Sequence, residues 1–333
     1  MRRLLNKRAR LAAAMDLDDL PEVRDLSVGK QRTIRALMDA WRDGGGFTSK
    51  KLAVAADLLH RMVSDDDETV ILSFPACIMA TGTRGVIRDL VKHKLVDAII
   101  TTCGTLDHDL ARLWEDYFAG RFDMDDRDLH QQGVNRLGNV LVPNECYGDV
   151  LEARLKPKLE AWAEETKDWS TRALCAKLGE WADEADNKEE SLLWWAWKND
   201  VPIYVPGPTD GSVGAQVWMV YQKHRDLRFD LLRDEQELSD LVFGAKRLGA
   251  LMIGGGISKH HVIWWSQFRD GLDTVVYLTT APEYDGSLSG ARVREAVSWG
   301  KVKEDAAWQT VEGDATISLP LLVGDLMDRL GLD

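Results

Sequence analysis

The chain has 333 residues, 45% of them hydrophobic and 29% charged, and a formal net charge of −13. That length holds one large α/β domain or two smaller ones, and the composition is that of an ordinary soluble globular protein. The acidic balance weighs against a nucleic-acid partner and suits a cationic substrate, and no apolar run is long enough to cross a bilayer.

The opening residues, Met1 to Arg10, are basic, but no apolar core or cleavage site follows them. The expectation is therefore a cytoplasmic protein without a secretory signal. Cys77, Cys103, Cys146 and Cys175 form no CxxC pair and read as reduced, mostly buried thiols.

Residues 1–45 read as a helical extension with polar breaks, in which Thr33 to Arg42 is amphipathic and Gly44-Gly45-Gly46 ends the run. Residues 46–333 read as a single domain. A helix is expected from Ser49 to Met62, closed by a solvated acidic turn at 64–68. A repeated pattern follows: an apolar run, a small-residue turn, then usually an amphipathic helix.

The apolar runs are Val70 to Phe74, Val96 to Thr102, Val201 to Val205, Gly249 to Ile253 and Thr274 to Leu278. Helices are expected at 84–93, 107–118 and 259–268. Residues 151–198 read as a charged helical insertion. Its tryptophans (Trp162, Trp169, Trp181, Trp194, Trp195, Trp197) suit core packing or a subunit interface better than a ligand site. The alternation predicts an α/β protein with a doubly wound, mostly parallel sheet and helices on both faces. Ligands of such sheets bind beyond the carboxyl ends of the strands, where the small residues lie. The Gly254-Gly255-Gly256 turn is not a GxGxxG, so alone it reads equally well as a tight turn.

No metal is expected. Asp107-His108-Asp109 reads as a solvated helix start, and adjacent His260 and His261 point to different helix faces. The densest chemistry lies at 285–301. There Asp285-Gly286-Ser287 leads into a short helix that Gly300 ends. Glu295 and Trp299 are spaced to share one helix face, and Lys301 follows the terminating glycine. A lysine beside an aromatic wall is desolvated and can act as an amine nucleophile; the plainer reading is a lysine stabilising a helix end.

Glu295-Ala296-Val297-Ser298-Trp299-Gly300-Lys301, preceded by Asp285-Gly286-Ser287-Leu288-Ser289-Gly290-Ala291-Arg292, resembles the active-site signature of the deoxyhypusine synthase family. Further blocks extend the likeness from about residue 70 to 325. They are Thr101 to Gly104, Asn135 to Glu145, Trp195 to Asn199, Thr209 to Ser212, Gly254 to His261, and Asp314-Ala315. The resemblance implies a Rossmann-like homotetramer with active sites at a dimer interface.

It also implies NAD as cofactor. By position, NAD binding falls to Ala76, Cys77, Ala80, Thr102, Cys103, Gly104, Asp210, Gly255, Thr280, Ser289, Asp314 and Ala315. Catalysis falls to Lys301, as the imine-forming amine, and His260. Substrate binding falls to Glu295, Trp299, Asp285 and Ser287, and to three positions that depart from the family. Leu288 and Ala215 stand where the family has aspartates, and His108 where it has a glutamate.

A buried ammonium without its carboxylate costs several kcal/mol, so the departures predict a substrate choice altered from spermidine. The implied acceptor is a lysine of the hypusine-bearing translation factor, or a small amine as in homospermidine synthase. A silent NAD-binding scaffold is the reading from outside enzymology, and the retained Lys301, Glu295 and Trp299 weigh against it.

Overall fold

Six parallel strands form the centre of the protein, which a computed structural model describes over residues 21–332. In chain order the sheet and its principal helices are β1 (Glu68–Ser73), α1 (Thr83–Lys92), β2 (Ala98–Ile100), α2 (Cys103–Ala111), β3 (Ile203–Tyr204), α3 (Ser212–Lys223), β4 (Arg247–Ile253), α4 (Gly256–Ser266), β5 (Leu272–Thr279), α5 (Val293–Val297), β6 (Val302–Glu312) and α6 (Ala315–Leu330). The spatial order is β6-β5-β4-β1-β2-β3, with every pair parallel.

Alternate residues of each strand enter two separate cores. Val70 and Leu72 face one, with Ile87 of α1 and Leu319 of α6; Ile71 faces the other, with Val262 of α4 and Val293 of α5. Both faces are covered, which is why the strands read as near-continuous apolar runs.

From β1 the chain crosses to β2 on one side, and from β4 it crosses to β5 on the other. The neighbours β1 and β4 therefore flank the point where winding reverses, the usual ligand crevice of such sheets. Pro75-Ala76-Cys77 and Gly254-Gly255-Gly256 meet there. Gly254 has φ +65°, and a Cβ on it would lie 3.3 Å from the Pro75 ring.

Several elements depart from expectation. Of the extension drawn at 1–45, residues 1–20 lie outside the described residues, 21–33 carry no helix, and the helix is Ile34–Asp43. That helix buries Met38 in the main core, and Arg42 pairs with Asp57 at 2.7 Å. The helix expected at 107–118 instead spans Cys103–Ala111, because it starts directly beyond β2. Phe118–Ala119 then joins Val140–Pro143 and Val134–Leu137 in a small antiparallel sheet, whose tight turn needs Gly138 at φ +62°.

The insertion is three helices, Gly148–Glu165, Thr171–Ala182 and Leu192–Asn199. Trp162, Trp169, Trp181 and Trp194 are buried there, while Trp197 is 39% exposed. Strand β6 has no counterpart in the sequence reading. Residues 303–306, three of them charged, loop out of register, Leu272 facing Val302 but Thr274 facing Ala307, which breaks the apolar pattern.

The Asp107-His108-Asp109 triplet is not solvated. Asp107 and Asp109 are both 0% exposed. Asp109 accepts from Arg84 (2.9 Å), Ser191 Oγ (2.6 Å) and the Leu192 and Leu193 amides (3.0 and 2.9 Å), and so anchors the start of the 192–199 helix. Asp107 accepts from Tyr147 Oη at 2.7 Å and from the Ser212 and Val213 amides at 2.8 and 2.7 Å, fastening the start of α3. These acids serve helix N-termini at a distance in sequence.

Candidate active site

Lys301 stands at the mouth of a cavity of about 420 Å³ between α4 and the 288–302 segment. The backbone places it tightly. Its amide donates to Ala296 O at 3.0 Å, and its carbonyl accepts from Leu272 N (3.1 Å) and Ser266 Oγ (2.8 Å). Gly300 supplies the preceding left-handed turn at φ +67°. The residue is 9% exposed, with Nζ 5.3 Å from the Trp299 ring centre and 5.9 Å from that of Trp264. Among the described residues, Nζ has no hydrogen-bond or ion-pair partner.

Helix α5 ends at Val297, so Trp299 lies in the turn beyond it and not on one face of a helix with Glu295. Both still line the cavity, as do His260 and Leu288. His260 stacks on Trp264 with centroids 5.8 Å apart. Burial, and then the Lys301 charge, pull the His260 pKa below its usual value, which keeps the ring neutral at pH 7. Among the described lining residues, Glu295 is the one carboxylate; Met252, Ile263, Val293 and Val302 supply apolar wall.

The residues expected for the cofactor gather along the carboxyl edge of the sheet. The Ala76 amide donates to Thr102 Oγ1 at 3.2 Å. A Cβ on Gly104 would lie 2.9 Å from Ala76, and one on Gly211 would lie 2.8 Å from Cys103 Sγ, so the turns after β1, β2 and β3 touch. Burial pushes the Cys103 thiol up to about 12, making it an inert packing group.

Across the crevice, a Cβ on Gly255 would sit 2.2 Å from Ser289 Oγ, and the Ser289 carbonyl accepts from Tyr277 Oη (2.6 Å) and Thr279 Oγ1 (2.9 Å). Thr280 and Asp314 are exposed at the ends of β5 and β6, and Asp314 caps α6, next to Ala315, by accepting from Thr316 N at 2.8 Å. Cys77 and Asp210 are exposed on the same edge, whereas Ala80 is only 3% exposed. Gly256, at φ +75°, opens α4 with empty space where a Cβ would be. A switch-point crevice, an open glycine turn and an eleven-residue helix starting there fit a dinucleotide.

Two expected substrate residues are not brought to Lys301 within the chain. Ala215 lies on α3 and His108 on α2, beyond the crevice, and neither lines the cavity. His108 Nδ1 lies 2.9 Å from Tyr117 Oη, and burial, then Arg112, draws its pKa down to about 4. Asp285 and Ser287 are exposed nearby, with Asp285 Oδ1 accepting from the Ser287 amide at 2.7 Å.

Sequence reasoning missed Lys259, Arg292 and Trp264, all of which line the cavity. The first two lie inside the matched blocks. The direction of Lys259 is set by the carbonyls of Leu288 and Ala291, distant in sequence, so no local pattern announces it.

The comparisons with known proteins agree with this architecture. The family model for deoxyhypusine synthase matches residues 36–326. A relative from Picrophilus torridus, named "Probable deoxyhypusine synthase", is 52% identical over 315 residues, covering 94% of this chain and all of its own length. One of the same name from Thermoplasma acidophilum is 50% identical over 306 residues, covering 92% and 97%. Among solved structures, a candidate deoxyhypusine synthase from Entamoeba histolytica superposes with a TM-score of 0.63. It covers 91% of this chain and 96% of its own and, at 20% identity, speaks to the fold alone.

Proposed function

This chain belongs to the deoxyhypusine synthase family, and from that premise we propose that it is an NAD-dependent aminoalkyl transferase working through an imine on Lys301. The observation that carries the reading is the cavity itself. It joins a buried, uncommitted lysine amine to an aromatic wall, a neutral imidazole and a single carboxylate. NAD, held by the turns around Ala76, Thr102, Gly255 and Asp314, would supply the hydride acceptor for the carbon beside the substrate amine and return the hydride at the end.

The chain's own residues do the rest. Glu295 holds a cationic nitrogen of the substrate, and Trp299 and Trp264, 66% and 43% exposed in the single chain, wall one side of the reacting carbon. The Lys301 amine adds to the C=N carbon, and the original amine leaves carrying a proton delivered by way of His260. An acceptor amine then adds to the same carbon and releases Lys301.

With Leu288, Ala215 and His108 in place of family carboxylates, the reading includes weakened recognition of a triamine such as spermidine. The fewer carboxylates favour a small-amine acceptor over a protein lysine, though the hypusine-type factor belongs in the assay. A homotetramer completes the proposal, and there the partner's α2 and α3 would bring His108 and Ala215 to this cavity. No helix among the described residues is long and apolar enough to cross a membrane.

The test is incubation of the purified protein with NAD and a panel of polyamines, with and without the factor, followed by borohydride. A mass increase on Lys301, absent in Lys301→Ala, is expected. No adduct and no product with any amine would end the enzymatic reading.

A further inference from the structure

Lys259 is a second buried lysine in the cavity, 3% exposed, and its surroundings differ from those of Lys301. Its Nζ donates to Leu288 O at 2.8 Å and Ala291 O at 2.7 Å, and lies 3.8 Å over the centre of the Tyr277 ring. The same Tyr277 donates its hydroxyl to Ser289 O, the carbonyl that Thr279 Oγ1 also holds. Lys259 itself belongs to the first turn of α4, directly after the glycines of the crevice. One ammonium therefore ties the start of α4 to both ends of the 288–291 segment, while β5 holds its middle.

We infer that Lys259 is a positioning residue that makes the glycine turn and the 288–291 wall of the amine cavity move as one body. It is unsuited to be a second nucleophile, because two carbonyls and an aromatic face already occupy its amine. Leu288 and Ala291 line the cavity and Ser289 abuts Gly255, so loosening this tie changes the cavity wall and the glycine turn together. The inference rests on the proposed function for its kinetic consequence, but not for its structural one.

The clamp is sensitive to pH. Burial draws the Lys259 pKa down to about 7; Glu295 on α5 opposes that, and Arg292 in the loop adds to it. His260 and Lys301 share the cavity, and Tyr277 faces the amine from β5. Opening the segment returns the amine to water, where its pKa is near the ordinary value of about 10.4, while the neutral amine keeps two donors for the carbonyls. The segment therefore tightens as pH rises above 7, where the closed state sheds a buried charge that the open state still carries.

Hydrogen exchange of the full-length protein reads the tie without reference to any activity. In Lys259→Met the Gly290 and Ala291 amides should exchange at least about tenfold faster than in wild type, with β1 and β4 unchanged. In wild type their exchange, corrected for intrinsic rate, should slow between pH 7 and 9, and in the variant it should not. Unchanged protection, or the same pH response in both proteins, overturns the inference.

Should Lys259→Met fail to fold, Lys259→Gln, whose shorter neutral amide keeps N–H donors but loses reach, serves instead and should give an intermediate rate; wild-type protection there also overturns it. With an active enzyme, Lys259→Met should raise the KM of the amine about tenfold or more while the adduct still forms on Lys301. An adduct lost from wild type as well would count against the proposed function and leave the exchange result standing.

Discussion

Restoring an acid at position 288 tests the claim that this cavity recognises fewer cations than its family's. Leu288 lines the cavity with Glu295, and two of the cavity's cations, Lys259 and Arg292, are already engaged, leaving Lys301 for the reacting carbon. Lys259 is held by two carbonyls, and Arg292 donates to Ala281 O and Gly290 O at 3.1 and 3.2 Å. A carboxylate introduced by Leu288→Asp would therefore be available to a substrate ammonium.

A hydrogen bond to a charged group contributes about 1.5–3 kcal/mol. Residue 288 is only half-buried, so solvent screening moves the expectation to the lower end. Since about 1.4 kcal/mol is a factor of ten, the KM for spermidine should fall about tenfold, and that for a diamine sharing the same reacting end much less. The assay is the initial rate of product formation, read by mass, for both amines with each protein. A ratio of the two KM values that stays the same would refute the argument that Leu288 weakens triamine recognition.

Two further outcomes follow from the buried polar groups. Asp109→Ala removes the partner of Arg84 and the acceptor of two backbone amides, and should cost about 3–5 kcal/mol in urea unfolding; a loss under about 1 kcal/mol would mean water replaces it. His108 has a folded pKa of about 4, below its unfolded value, so the stability it contributes is present above about pH 6.5 and lost as pH falls through 4. Wild type should therefore lose stability between pH 6.5 and 4 more steeply than His108→Gln, and parallel pH profiles would show that the ring is not held neutral.

Much of this protein is legible along the chain because its causes are local. Apolar runs followed by small residues and amphipathic helices define parallel strands covered on both faces, and five of the six central strands appear that way. The motif around Lys301 is contiguous, so its turn, short helix and terminating glycine are readable before any folding is considered. Strand β6 escapes because the bulge at 303–306 puts charge into the apolar run, which is the local sign by which the other strands are read.

Tertiary structure decides what sequence separation hides. Asp107 and Asp109 look like the acids of a solvated helix start. They are interior because the helices at 192–199 and 212–223, some 80 to 105 residues away, present unpaired amides to them. Lys259 looks like one more charged residue on a helix, until the 288–291 carbonyls close around its amine. A side chain's polarity is written in the chain, but the partner that makes its burial tolerable arrives only when distant segments meet.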